Sequence, residues 1–304
     1  MTWVNSNKKI LRHTEDRANF VRALFSFPIL CLPAITGVQG NWLGVFYCSV
    51  IWFLLADMNF LLHQHVHLRL TTSRTLNWIL DIMMSLTTGM SAYNWRQHHI
   101  LRHHRGNGDW EKPYHWEAQQ YSWWGALSYS LRKTFIMYLF PLGESFCKGI
   151  LLNRKSPINY RAAFFEQLFI SLIAVSFIMI EPLFYGWYYF LVYFFTSLTD
   201  YENHVGCDKS SYGFSNNTTN HCYNWVRNNF GYHTAHHFFP KAHWTCLPKL
   251  HKMLNMYIPR TCIQSGWWTG LFTPPLVVYL FLTRIASWHR LEAWGLGDMG
   301  HLRK

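Results

Sequence analysis

The sequence predicts an all-α integral membrane protein with about four transmembrane helices, further helices at the membrane interface, and a cytoplasmic, histidine-rich cap. Three observations predict it. Hydrophobic residues make up 50% of the 304 residues and gather in long runs, the signal of helices that cross a bilayer. Aromatic residues are abundant, with 16 Trp, 17 Tyr and 23 Phe, as expected where aromatic belts flank the hydrocarbon core. Histidines cluster at the ends of the apolar runs and not within them.

The formal charge of +12 raises nucleic acid as a partner. Lys and Arg lie mainly outside the apolar runs, however, and fit positive-inside loops, anionic lipid or an acidic protein partner better. No nucleic acid is therefore expected. Cys31, Cys48, Cys147, Cys207, Cys222, Cys246 and Cys262 form no CxxC pair, which argues against a disulfide framework and a thiolate zinc site. The first twenty residues mix Lys8, Lys9, Arg12 and Arg17 with Glu15 and Asp16 and lack a cleavable signal profile, so the first apolar run is expected to be retained.

Taken in order, Phe20 to Val38 is the first expected span, with Arg22 snorkelling near its start and Pro28 and Pro33 tolerated as kinks. Trp42 to Leu62 is the second and delivers the chain to His63. Basic residues before the first span and none between the two put the N-terminus and His63 on the cytoplasmic side, the inner face of the inner membrane in a bacterium. Leu76 to Ala92 is read as interfacial or re-entrant, because a crossing there would separate the histidines on either side of it. Tyr121 to Leu142 carries Arg132 and Lys133 and reads as interfacial. Ala162 to Ile180 and Leu183 to Thr199 are the third and fourth spans. Trp267 to Thr283, broken by Pro274 and Pro275, is interfacial or re-entrant. With no internal repeat and no low-complexity linker, residues 1–304 read as one membrane-embedded domain.

The chemistry lies in four groups of histidines. His63 and His67 form HxxxH on one helical face. His99, His103 and His104 form HxxxHH, with His98 competing for a place. His204 stands in DYENHVG. His233, His236 and His237 sit at i, i+3 and i+4, so one helical turn aims all three at one point. Nine imidazoles exceed what one ion takes, whereas two metals, each with an open position, fit the number. An all-nitrogen pair beside a bilayer suits oxygen chemistry on an unactivated C–H bond, which points to iron. Asp57, Asp200 and Glu202, with Asp109 and Glu111, are candidates to hydrogen-bond the far ring nitrogens. Capping, or pairing with Arg96, Arg102 and Arg105, is the competing role.

The three boxes, with the tail GYHTAHHFFPKAHW, resemble the membrane fatty acid desaturase and hydroxylase superfamily. The resemblance covers roughly His63 to His251. It implies an integral-membrane enzyme with two iron ions that uses O2 and external electrons on alkyl chains. It also implies that His63, His67, His99, His103, His104, His204, His233, His236 and His237 are the iron ligands. The spacing of the second box and the extra histidine of DYENHVG are similar to the alkane monooxygenase branch. The third box, with Pro240 and Leu247-Pro248 after it, is closer to acyl-lipid desaturases. Desaturation of a fatty acyl chain, free or bound to a carrier protein or lipid, is the favoured outcome. Hydroxylation, acetylenation and decarboxylation to a terminal alkene remain open at the same site.

The chain contains no haem-binding module and no GxGxxG, so a ferredoxin, rubredoxin or cytochrome must supply the electrons. Arg102, Arg105, Arg154, Lys155, Arg227 and Lys241 are candidates to dock such a partner or an acidic acyl carrier protein, or simply obey the positive-inside rule. Trp95, Trp110, Trp116 and Trp225 are either tunnel walls or belt anchors. His65, His115, His221, His243 and His251 read as structural, and His13, His289 and His301 as solvated. A metal transporter is the rival class, although transporters place ionisable groups along a path near mid-membrane, and these histidines flank the spans.

Overall fold

The structure is a computed structural model that describes residues 10–38, 40–55, 57–97, 99–100, 104, 123–152, 159–207 and 213–265. His98, His103 and the run Trp267 to Thr283 lie outside the described residues, as do Asp109, Glu111, Trp110, Trp116, Arg102, Arg105, Arg154 and Lys155. The helices are α1 (Arg17–Thr36), α2 (Trp42–Leu55), α3 (Met58–His67), α4 (Arg74–Thr88), α5 (Ala92–Arg96), α6 (Trp123–Phe146), α7 (Tyr160–Ile180), α8 (Pro182–His204), α9 (His221–Val226), α10 (His233–Phe238) and α11 (Leu247–Leu254). Two short strands, β1 (Asn217–Thr218) and β2 (Ile263–Gln264), pair in parallel and close the cap.

Among the described residues, three helical stretches are long and apolar enough to cross a membrane: Thr14–Thr36, Trp42–His67 and Tyr160–Ile180. At 23 residues α8 is long enough too, but its tyrosines, Asp200 and Glu202 lower its hydropathy. It continues past the expected end at Thr199, so His204 rides on its last turn. The 15-residue α4 reaches only about 22 Å, less than a hydrocarbon core of about 30 Å. It caps at Gly89, whose φ of 75° favours glycine, and packs against α1. Helix α6 packs along α7 and α8.

Polar side chains lock these helices at positions that matter for the histidines. Pro33 cannot donate a backbone hydrogen bond within α1. Beside it the Tyr185 hydroxyl donates to the Leu30 carbonyl at 2.7 Å and accepts from the Ala34 N–H at 3.1 Å. Arg22 was expected to snorkel; it is instead buried against Asp57, at the break between α2 and α3. A cation too deep to reach water needs a counter-charge. On α3, the Asn59 amide donates to Thr196 Oγ1 at 2.7 Å and to the Val192 carbonyl at 3.2 Å, fixing α3 on α8. On α7, Gln167 Nε2 donates to the Gly89 carbonyl at 2.9 Å and its Oε1 accepts from the Ser91 N–H at 2.9 Å. That pair satisfies the backbone of the turn into α5, which leads to His99.

Candidate metal centre

Helix α3 presents His63 and His67 one turn apart, with ring centroids 5.0 Å from each other. After α5 the chain loosens into π-helical turns around Gln97 to Ile100. The His104 N–H bonds the His99 carbonyl, five residues back, at 3.0 Å. Such widened turns are frequent at functional sites. This one brings His99 Nε2 and His104 Nε2 to 2.9 Å, which α-helical spacing would not do. Helix α10 carries His233, His236 and His237. Its approach is set by Asn228 and Asn229, both at positive φ, and by Gly231, where a Cβ would collide with the Thr218 carbonyl.

These rings gather into two groups whose nitrogens converge: His63, His67, His99 and His236 in one, His204, His233 and His237 in the other. His104 lies between them, its ring 4.6 Å from His67 and 4.3 Å from His237. His63 Nε2 stands 2.9 Å from His236 Nε2. In the second group His233 Nε2 faces both His204 Nε2 at 3.3 Å and His237 Nε2 at 3.0 Å. One ring nitrogen carries either a proton or a lone pair, so it cannot serve two neighbours of the same kind well. A shared cation resolves this: imidazole nitrogens roughly 2.0–2.1 Å from a divalent ion lie about 2.9–3.4 Å apart. The residues present therefore fit a metal in each group.

Electrostatics agree with the neutral rings that ligation requires. Burial, then the neighbouring His67, His63, His104 and His233, hold the His236 pKa well below the usual histidine value. His204 Nδ1 lies 2.9 Å from the Phe214 carbonyl; Nδ1–H donates to it, which fixes the tautomer and leaves the Nε2 lone pair for a metal. The carboxylates lie differently. Asp57 pairs with Arg22, and Asp200 pairs with Lys133 and accepts from Tyr129 Oη at 2.7 Å. Glu202 offers its backbone carbonyl to Asn216 Nδ2 at 2.9 Å.

A cavity opens beside the rings, lined in part by His63, His99, His233, Trp95, Phe60 and Phe230. Trp95 stacks on His99 with an interplanar angle of 2°, so it is a cavity wall. Some side chains lie where their sequence context does not indicate. Lys133, in a stretch expected at the interface, is 2% exposed and lines this cavity. Arg227, a docking candidate, is buried over the Phe60 ring at 4.1 Å. His13, expected in solvent, stacks on His243 at 4.0 Å. His243 in turn faces Asp16, which also accepts from Trp244 Nε1 at 2.9 Å and ties the start of α1 to the cap.

A model of the family described as Fatty acid desaturase matches residues 40–268. No curated protein and no solved structure matches the chain. The matched stretch covers most of the sequence and encloses both groups of imidazoles. The chain therefore belongs to the fatty acid desaturase family of membrane non-haem di-iron oxidoreductases.

Proposed function

We propose that this enzyme oxidises an unactivated C–H bond of a fatty acyl chain with O2 at two iron ions, and that desaturation is the outcome. The observation that carries this reading is the sorting of imidazoles into two converging groups with His104 between them. His63, His67, His99 and His236 would hold one ion, and His204, His233 and His237 the other. His104 and His103 would complete the set. Iron bound there supplies the oxygen-activating chemistry. The chain's own residues do the rest: α3 and α10 present the rings, and the Phe214 carbonyl sets the His204 tautomer. Trp95 and Phe230 keep water from the rings on the cavity side.

Asp57 and Asp200 support α3 and α8 through their pairs with Arg22 and Lys133, one step removed from the ligands. Glu202 is the carboxylate two residues from His204. Desaturation is favoured by the likeness of the third box and its downstream prolines to acyl-lipid desaturases.

Electrons come from an acidic ferredoxin, rubredoxin or cytochrome-type carrier on the cytoplasmic side. Residues 209–265 contain no Asp or Glu, while Lys241, Lys249, Lys252 and Arg260 are exposed on the cap, a surface suited to such a partner.

Expression in a bacterium, followed by mass spectrometry of fatty acids and volatile hydrocarbons, tests the reaction. A new unsaturated product that forms only in air is expected. His236→Ala should abolish it and lower bound iron while membrane insertion is unchanged. Full activity in that variant, or metal flux into vesicles without oxygen consumption, would contradict the reading.

A further inference from the structure

Lys133 is a buried charge that the metal centre does not use. A lysine among tryptophans and tyrosines ordinarily sends its ammonium to water, yet this one is 2% exposed and paired with Asp200. Tyr129 Oη stands 2.9 Å from its Nζ and donates to the same carboxylate. A buried ion pair is rarely the most stable way to fill space, because both charges give up water. This pair lines the same cavity as His63, His99 and His233. The cavity wall is mixed: Phe60, Trp95 and Phe230 are apolar, whereas Asn59, Thr196, Thr199 and Asn203 are polar. Asn59, Thr196 and Thr199 already bond within the protein, so the groups from which a plain methylene chain would strip water with nothing in return are Lys133 and Asp200. A chain end bearing an oxygen would pair with them.

We propose that Lys133, held by Asp200 and Tyr129, is a specificity-determining residue that binds the oxygen-bearing end of the fatty substrate beside the histidine groups. Oxidation then falls on carbons near that end, not in mid-chain. The ligand chemistry is a hydrogen-bond-accepting oxygen on an alkyl chain, from a carboxylate or from a hydroxyl. This rests on the proposed oxidation of a fatty chain, but the binding it describes is measurable without turnover.

The test is anaerobic binding of radiolabelled palmitate, hexadecanol and hexadecane to the metal-loaded enzyme in nanodiscs. At least one oxygenated ligand should bind about tenfold tighter than hexadecane, the scale of a hydrogen bond to a charged group. Preference for palmitate identifies a carboxylate site, and preference for hexadecanol a hydroxyl site. Lys133→Met should erase the preference without weakening hexadecane binding, and Tyr129→Phe should reduce it by about threefold. Should Lys133→Met fail to insert, Tyr129→Phe decides alone. Equal affinity for all three ligands, an unchanged preference in the variants, or product oxidised in mid-chain would overturn the proposal. A retained preference with no air-dependent product would leave this site standing and count against fatty-chain oxidation.

Discussion

Asn228 and Asn229 hold φ angles of 50° and 59°, a region that asparagine enters more readily than other side chains but not without cost. Each has a reason to stay. Asn228 Nδ2 donates to Gln64 Oε1 at 3.1 Å, between the histidines of the first box, and Asn229 Nδ2 donates to the Trp244 carbonyl at 3.1 Å. Asn228 thus joins the first box to the approach of the third, and Asn229 ties that approach to the chain beyond it. Asn229→Ala keeps the strained backbone and loses the bond, so it should destabilise the protein by about 1–3 kcal/mol. A lowered unfolding temperature with less bound iron is expected, and wild-type values for both would show the turn to be incidental.

The histidines themselves were legible in the sequence because their spacing repeats the helical period. Lys133 was not: Arg132 beside it is exposed, and nothing in the local sequence distinguishes the outward cation from the inward one. Asp57 and Asp200 had the right neighbourhood for hydrogen-bonding a ligand ring, yet buried cations on other helices take them up. Such pairings depend on contacts remote in sequence.

At the scale of elements, hydropathy located α1, α7 and the α2–α3 stretch. It located Leu183 to Thr199 as well but stopped short of the last turn of α8, whose buried face is a stripe of Tyr185, Tyr188, Tyr189 and Tyr193. Two of these hydroxyls serve the backbone of neighbouring helices: Tyr185 bridges the turn of α1 at Pro33, and Tyr189 donates to the Leu86 carbonyl at 3.2 Å. Tyr185→Phe removes the bridge where no water can replace it. The cost should be about 1 kcal/mol, since the freed N–H and carbonyl of α1 can approach each other. Thermal unfolding in detergent should show that decrease with iron retained. No change in unfolding temperature would mean that the kink is held by packing alone. The second box was only partly legible, because His99 and His104 meet through a widened π-type turn that spacing does not announce.

For the whole molecule, four histidine groups separated by up to 174 positions between His63 and His237 must end on one side of the bilayer. Reading Leu76 to Ala92 as non-crossing satisfied that demand, and α4 is correspondingly short. The proposed cytoplasmic placement of the cap makes a further prediction in a cysteine-free background. A cysteine at Gly40 should react with an impermeant thiol reagent from outside, and one at His221 should not; the reverse pattern would invert the topology. The most direct test of the centre is iron quantification with X-ray absorption on the purified protein. Two irons per chain in a nitrogen-rich shell are expected, falling to one or none in His233→Ala. A single metal, or iron content indifferent to His233 and His236, would contradict a paired centre built by these imidazoles.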